Sequence, residues 1–195
     1  MNLGFLASGR GSNLQAVIDA CKSGRLLATP RVVISNNSAS GALERARREG
    51  IPAYHLSSHT HGEGLDEAIL QTLQRHEVEL VVLVGYMKKL GPRTLAAYRN
   101  RIVNIHPALL PKFGGQGMYG MNVHKAVIEA GERESGATIH LVDEEYDHGA
   151  ILAQTRVPVL PDDTPQTLAQ RVLEREHAFL VETLGKIISG EIRLD

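Results

Sequence analysis

Short apolar runs of strand length alternate along this chain with stretches of helical period, the pattern of a parallel sheet with helices on both faces. Strands are read near Leu3–Ala7, Arg31–Ser35, Ala53–Leu56, Leu80–Gly85, Arg101–Ile105, Thr138–Val142 and Leu152–Val157. Helices fit Asn13–Cys21, Gly41–Arg48, Glu63–His76, Arg93–Tyr98 and Asn122–Ala130 between them. Val81-Val82-Leu83-Val84 and Val32-Val33-Ile34 lack alternation, which predicts strands buried on both faces at the centre of the sheet. Thr164-Pro165 offers an N-cap and a first-turn proline, and Leu168, Val172, Leu173, Leu180, Leu184, Ile187 and Ile188 follow at helical spacing. A long last helix is therefore expected to close an α/β, doubly wound, mostly parallel seven-stranded domain over residues 1–195.

Composition limits the partners. A formal charge of −1 creates no global field for nucleic acid or an anionic membrane, so an anionic ligand has to be held locally. Leu80 to Val84 is far short of the roughly 18 apolar residues a membrane helix needs, and Leu3 to Ala7 has neither a basic flank nor a cleavage site. The single cysteine, Cys21, cannot build a disulfide framework and fits a reducing, cytoplasmic compartment.

Three loops, expected at the carboxyl ends of strands, carry unusual chemistry. In the first, Ser8-Gly9-Arg10-Gly11-Ser12-Asn13 runs from a strand directly into a helix, which is an anion site in outline. Leu14 stands where a dinucleotide fingerprint needs a third small residue, Ser35-Asn36-Asn37 lacks the ribose-binding acid, and no Walker lysine follows. The same six residues also fit a plain tight turn. In the second, Asn104 and His106 project to one side of a strand before Pro107, as an oxyanion-stabilising pair or as turn and backbone partners. In the third, Asp147-His148-Gly149 reads by itself as a turn.

His55, His59 and His61 crowd together, but neither a His-Glu-x-x-His motif nor paired cysteines accompany them, and no metal is expected. The arginines of Glu44 to Glu49 read as a solvated helix face, and Met87, Met118 and Met121 as gap-fillers. Phe113 to Met121, with glycines at 114, 115, 117 and 120, reads either as a mobile cover over a site or as a rigid excursion or subunit contact.

Taken in order, Ser8-Gly9-Arg10-Gly11-Ser12-Asn13-Leu14-Gln15-Ala16, Asn104-Ile105-His106-Pro107-Ala108-Leu109-Leu110-Pro111 and Tyr146-Asp147-His148-Gly149 resemble the glycinamide ribonucleotide formyltransferases, over nearly the whole chain. The resemblance implies a Rossmann-like formyltransferase fold. It implies 10-formyltetrahydrofolate as donor and the amine of 5′-phosphoribosylglycinamide as acceptor in purine biosynthesis, with formylglycinamide ribonucleotide and tetrahydrofolate as products. It implies Asn104 and a protonated His106 on the oxyanion, Asp147 favouring the charged imidazole, and His140 nearby. Gly11, Ser12 and Asn13 would hold the phosphate and Glu176 the ribose; Met87, Lys88, Lys89, Leu90 and Asn104 would line the folate pocket.

Two departures stand out: Gly62 sits where the family often has a folate-contacting arginine, so that contact is either absent or replaced by His61, and the stretch after Pro111 is longer by a few residues. Partners are then small molecules, without nucleic acid or membrane, and a homodimer is left open. A formyltetrahydrofolate hydrolase is the nearest alternative, since it shares the trio and uses water as acceptor, but it would have no need of the phosphate loop. A methionyl-tRNA formyltransferase normally needs an additional RNA-binding domain for which this length leaves little room. A different class is a non-catalytic ligand-binding or response-regulator module on the same sheet, and Ser8 and Gly9 replace the acidic pair such a regulator needs after its first strand.

Overall fold

Seven strands form one sheet in the order β3-β2-β1-β4-β5-β6-β7, and the computed structural model describes residues 1–195. They are β1 (Asn2–Ala7), β2 (Thr29–Ser35), β3 (Ala53–His55), β4 (Leu80–Leu83), β5 (Ile102–His106), β6 (Glu134–Leu141) and β7 (Ile151–Pro158). The helices are α1 (Ser12–Lys22), α2 (Gly41–Arg48), α3 (Ser58–His61), α4 (Leu65–Arg75), α5 (Pro92–Ala97), α6 (Met121–Glu129) and α7 (Pro165–Ile188). β1 to β5 pair in parallel, β6 runs antiparallel to β5, and β7 antiparallel to β6.

Period-two alternation divides the apolar residues between two layers. Leu3 and Phe5 of β1, Leu80 and Val82 of β4, and Val103 and Ile105 of β5 pack with Leu14, Val17 and Ile18 of α1 and with Phe179, Leu180, Leu184 and Ile187 of α7. Leu6, Val81, Leu83 and Ile102 pack on the other side with Ile69 and Leu73 of α4. Each such side chain contributes about 1.5–3 kcal/mol when fully buried, so the double-sided central strands supply much of the folding free energy. Val81 and Val82 are fully buried, as the run without alternation predicts.

α7 starts where Thr164 and Thr167 exchange side-chain to backbone bonds in a capping box, with Pro165 in the first turn. Its apolar stripe lies against α1, which brings the far end of the chain to the first loop.

The structure corrects two expectations. The helix expected over Glu63–His76 begins at Leu65, because a Ser57/Thr60 capping box starts a separate turn, α3, and a 3₁₀ turn over Gly62–Gly64 separates the two. The loop after the sixth strand does not leave the carboxyl edge of the parallel strands. Because β6 is antiparallel, its last residue, Leu141, pairs with Val103 near the start of β5. Residues 143–149 therefore follow a strand end that lies beside the start of β5, and Asp147 among them reaches His106 at 3.5 Å.

The strand order reverses between β1 and β4, where doubly wound sheets open a crevice. The loops after these strands are tied there by Ser8 N–H donating to the Gly85 carbonyl at 2.9 Å.

Candidate active site

The first loop turns at Gly11, the N-cap of α1, with φ 78° and no side-chain cap. A Cβ there would stand 2.8 Å from Ala42 Cα, so both the left-handed backbone and the contact with α2 call for glycine. Gln15 N–H makes the first bond of the helix, to the Gly11 carbonyl at 2.9 Å. The earlier N–H groups of α1 consequently face the loop at the positive end of the helix. The Arg10 carbonyl accepts from Arg45 Nε at 2.8 Å, and Ser8 Oγ donates to Asn36 and accepts the Met87 N–H, fixing the loop from three sides.

α7 completes this corner. Asn13 Nδ2 donates to Glu176 Oε1 at 3.0 Å, with the two residues 9% and 6% exposed, and Asn13 Oδ1 is buried without a partner. Burial pushes the Glu176 carboxyl up to about 7 against the opposing effect of the Asn13 amide. The next residue, His177, places Nε2 3.1 Å from Ser12 Oγ. The side chain of Asn13 thus turns to Glu176, and its contribution to the loop is its backbone.

The second constellation lies where β5 ends. His106 is 4% exposed and its Nε2–H donates to the Phe113 carbonyl at 2.7 Å. Its Nδ1 faces Asp147 Oδ1 at 3.5 Å, and the same oxygen lies 3.5 Å from His140 Nε2. His140 Nδ1–H donates to the Leu141 carbonyl, which leaves Nε2 to accept from Asn104 Nδ2 at 3.1 Å. His106 thus gives its ring proton to the backbone and turns an open Nδ1 toward the carboxylate, while the Nε2 of His140, engaged by Asn104, lies beside the same oxygen. The arrangement is a socket for one more proton.

Its resting state differs from the expectation of a charged imidazole. Burial pulls His106 below its usual value, and this outweighs the opposing pull of Asp147 and the Phe113 carbonyl. Burial also raises Asp147, but His140, His106 and the Gly115 N–H together hold its carboxyl below the ordinary range. A carboxylate beside a neutral imidazole results. Asp147 adopts φ 55°, a left-handed conformation that Asp tolerates better than most residues. Gly149 lets this loop close, since a Cβ there would run into the Leu141 carbonyl.

One cavity of about 910 Å³ joins the two constellations. Ser8 to Asn13 and Glu176 line one end, Asn104, His106, His140 and Asp147 the middle, and Leu83 to Leu90 with Val142, Asp143, Glu145 and Tyr146 a further wall. Met87, Lys88, Lys89 and Leu90 all line it, and Lys89 Nζ sits 5.1 Å over the Tyr146 ring. Gly115 to Met121 line its mouth, with Gly115, Gly117 and Gly120 at positive φ. His61 and Gly62 do not line it; His61 Nδ1 bonds instead to Thr60 Oγ1. His55, His59 and His61 form no group that could hold a metal ion.

Sequence reading missed three lining or supporting groups. Tyr86 has a buried, unpartnered hydroxyl whose ionisation burial pushes up to about 12. His124 on α6 has a buried, unpartnered Nδ1, and burial together with His106 pulls its pKa down to about 4. His177 followed Glu176 in plain view, but only the contact with Ser12 gives it a role.

A family model described as Formyl transferase matches residues 1–184, and the chain belongs to that family. Among its relatives, phosphoribosylglycinamide formyltransferase of Escherichia coli is 36% identical over 196 residues, covering 100% of this chain and 90% of that protein. The chloroplastic phosphoribosylglycinamide formyltransferase of Arabidopsis thaliana is 42% identical over 194 residues, which cover 98% of this chain but 66% of that longer protein. The solved structure of glycinamide ribonucleotide transformylase 1 from Symbiobacterium toebii superposes with a TM-score of 0.91 at 38% identity, over 97% of this chain and 88% of that one.

Proposed function

We propose that this chain transfers the formyl group of 10-formyltetrahydrofolate to the primary amine of 5′-phosphoribosylglycinamide, yielding formylglycinamide ribonucleotide and tetrahydrofolate. The observation that carries the reading is a single cleft with an anion seat at one end and the Asn104, His106 and Asp147 cluster in its middle. Residues 1–195 are taken as one formyltransferase domain acting on small molecules in the cytoplasm, with a homodimer as the assembly to test by light scattering.

The residues fit both substrates. The backbone of Gly11, Ser12 and Asn13 suits a phosphate, and the orphaned acceptor Asn13 Oδ1 beside Glu176 calls for hydroxyl donors, which a ribose supplies. The wall from Met87 to Leu90, which includes the cationic Lys88 and Lys89, suits a flat heteroaromatic ring with an anionic tail, and the unpartnered Tyr86 hydroxyl suits a ring heteroatom. The cavity has the size expected for two ligands meeting end to end.

Bound donor supplies an electrophilic formyl carbon. When the amine adds to it, charge develops on the formyl oxygen, and the second N–H of Asn104 is free to meet it. Collapse requires a proton to leave the attacking nitrogen and another to reach the departing one. The Asp147 carboxylate, opposite the open Nδ1 of His106, holds that proton in transit. For His106 to donate to the oxyanion, its Nε2–H has to leave the Phe113 carbonyl, so the 113–121 segment controls the donor.

The test is to incubate purified chain with 10-formyltetrahydrofolate, with and without the ribonucleotide, and follow both products. Formylated ribonucleotide formed in step with tetrahydrofolate is the expected result. Equally fast loss of the formyl group without ribonucleotide makes water the acceptor and the chain a hydrolase.

A further inference from the structure

Glu176 and His177 are adjacent on α7, so their side chains diverge by about 100° and straddle the first turn of α1. Glu176 takes Asn13 and His177 takes Ser12. The second contact can be made in two ways. The Ser12 hydroxyl donates to a bare Nε2, which turns its proton away from the loop, or a protonated Nε2 donates to Oγ, which leaves the hydroxyl proton free to donate into the seat.

We propose that His177 is a positioning residue for the phosphate of the acceptor: through Nε2 it turns the Ser12 hydroxyl toward the anion, and on binding it becomes a cation beside the seat. The inference rests on the function proposed above and assigns that site a residue beyond Gly11, Ser12, Asn13 and Glu176.

The surroundings leave the ring ready for this change. Burial pulls His177 below its usual value, Glu174 pulls the other way, and Arg45 of α2 adds to the lowering. Its neighbour Glu176 is pushed up to about 7, and α1 offers only the uncharged Ser12 and Asn13. The free chain thus holds a neutral His177 at pH 7. A phosphate at the amino end of α1 adds the negative charge that reverses this balance, so the bound pKa rises and binding takes up a proton. By linkage, this part of the affinity is present below the free pKa and is lost as pH rises through the bound one.

Calorimetry of glycinamide ribonucleotide binding, in two buffers of different ionisation enthalpy at pH 6.5 and 8.5, reads the proton directly. The ligand's phosphate releases protons of its own, so the comparison is between the natural chain and His177→Gln, which keeps an amide donor but cannot titrate. Net proton uptake at pH 6.5 is expected to be more positive in the natural chain, and the difference should vanish at pH 8.5. In turnover, His177→Gln should raise KM for the ribonucleotide about fivefold at pH 6.5, with the loss on that KM rather than on kcat or the folate KM. A histidine NMR titration of the natural chain needs no variant: the His177 pKa should rise on adding ribonucleotide. Equal proton uptake by both chains, an unmoved His177 resonance, or equal loss for both substrates overturns the role of His177. If the natural chain binds no ribonucleotide at all, the acceptor assignment falls first.

Discussion

Asp147 Oδ1 and His106 Nδ1 face each other at 3.5 Å, while the other nitrogen of the same ring, Nε2, donates to the Phe113 carbonyl at 2.7 Å. A negative oxygen opposite a lone pair is a contact that one added proton converts into a hydrogen bond. Replacing Asp147 by Asn removes the charge that favours that proton, and the His106 pKa, already lowered by burial, should fall further. An NMR titration of the purified variant checks this, and an unchanged His106 value would dissolve the pairing.

Asn104→Ala and His106→Ala each remove a group from the place where charge develops. Turnover should drop by about 10²-fold or more in both, while ribonucleotide affinity changes little. Near-normal rates in either folded variant would take that residue out of the reaction.

Gly11→Val places a branched side chain on a backbone at φ 78° and against Ala42. Ribonucleotide affinity should fall tenfold or more, since the loop has to shift, and folate affinity should survive. Calorimetry with each ligand separates the two, and equal weakening would mean that the fold, not the seat, was damaged.

Glu176 gives a stability test whose sign is set by its raised pKa. The folded group holds its proton up to about 7 where an unfolded glutamate loses it near 4.5. Its favourable contribution is therefore complete below the unfolded value and disappears as pH rises through the folded one, a change on the order of 3 kcal/mol. The natural chain should lose thermal stability between pH 5 and 8, and Glu176→Gln should flatten that slope. Parallel melting curves for the two chains would contradict the buried, protonated carboxyl.

The Phe113 to Met121 segment holds His106 through the Phe113 carbonyl and Asp147 Oδ2 through the Gly115 N–H. Its backbone amides should exchange more slowly with ribonucleotide and a non-reactive folate analogue both bound than with neither. Equal exchange in the two states would leave it a fixed wall of the cleft.

Much of the architecture follows from periodicity alone. Gly41–Arg48 is the observed span of α2, and the unalternating valines mark β2 and the central β4. Strand direction does not follow, because nothing in the residues of β6, buried on both faces from Ser135 to His140, differs between a parallel and an antiparallel neighbour of β5. That hid the route by which Asp147 reaches His106. The charge of His106 was likewise beyond reach, since it is set by how deeply the ring is buried. Asn104, His106 and Asp147 were legible through motif order; their connection through His140 depends on tautomers that only the contacts with Phe113 and Leu141 carbonyls reveal.

The contact between Asn13 and Glu176 joins residues 163 positions apart. During synthesis, β1, its loop and α1 emerge long before the stretch that completes their corner, so the acceptor seat cannot exist on a nascent chain until α7 has left the ribosome and docked. Docking is then the last long-range step, and a ligand that bridges α1 and α7 favours it by mass action. Acceptor in the surrounding solution would act as a template for finishing the chain, and newly made protein starved of it would expose the α1 face to proteases for longer.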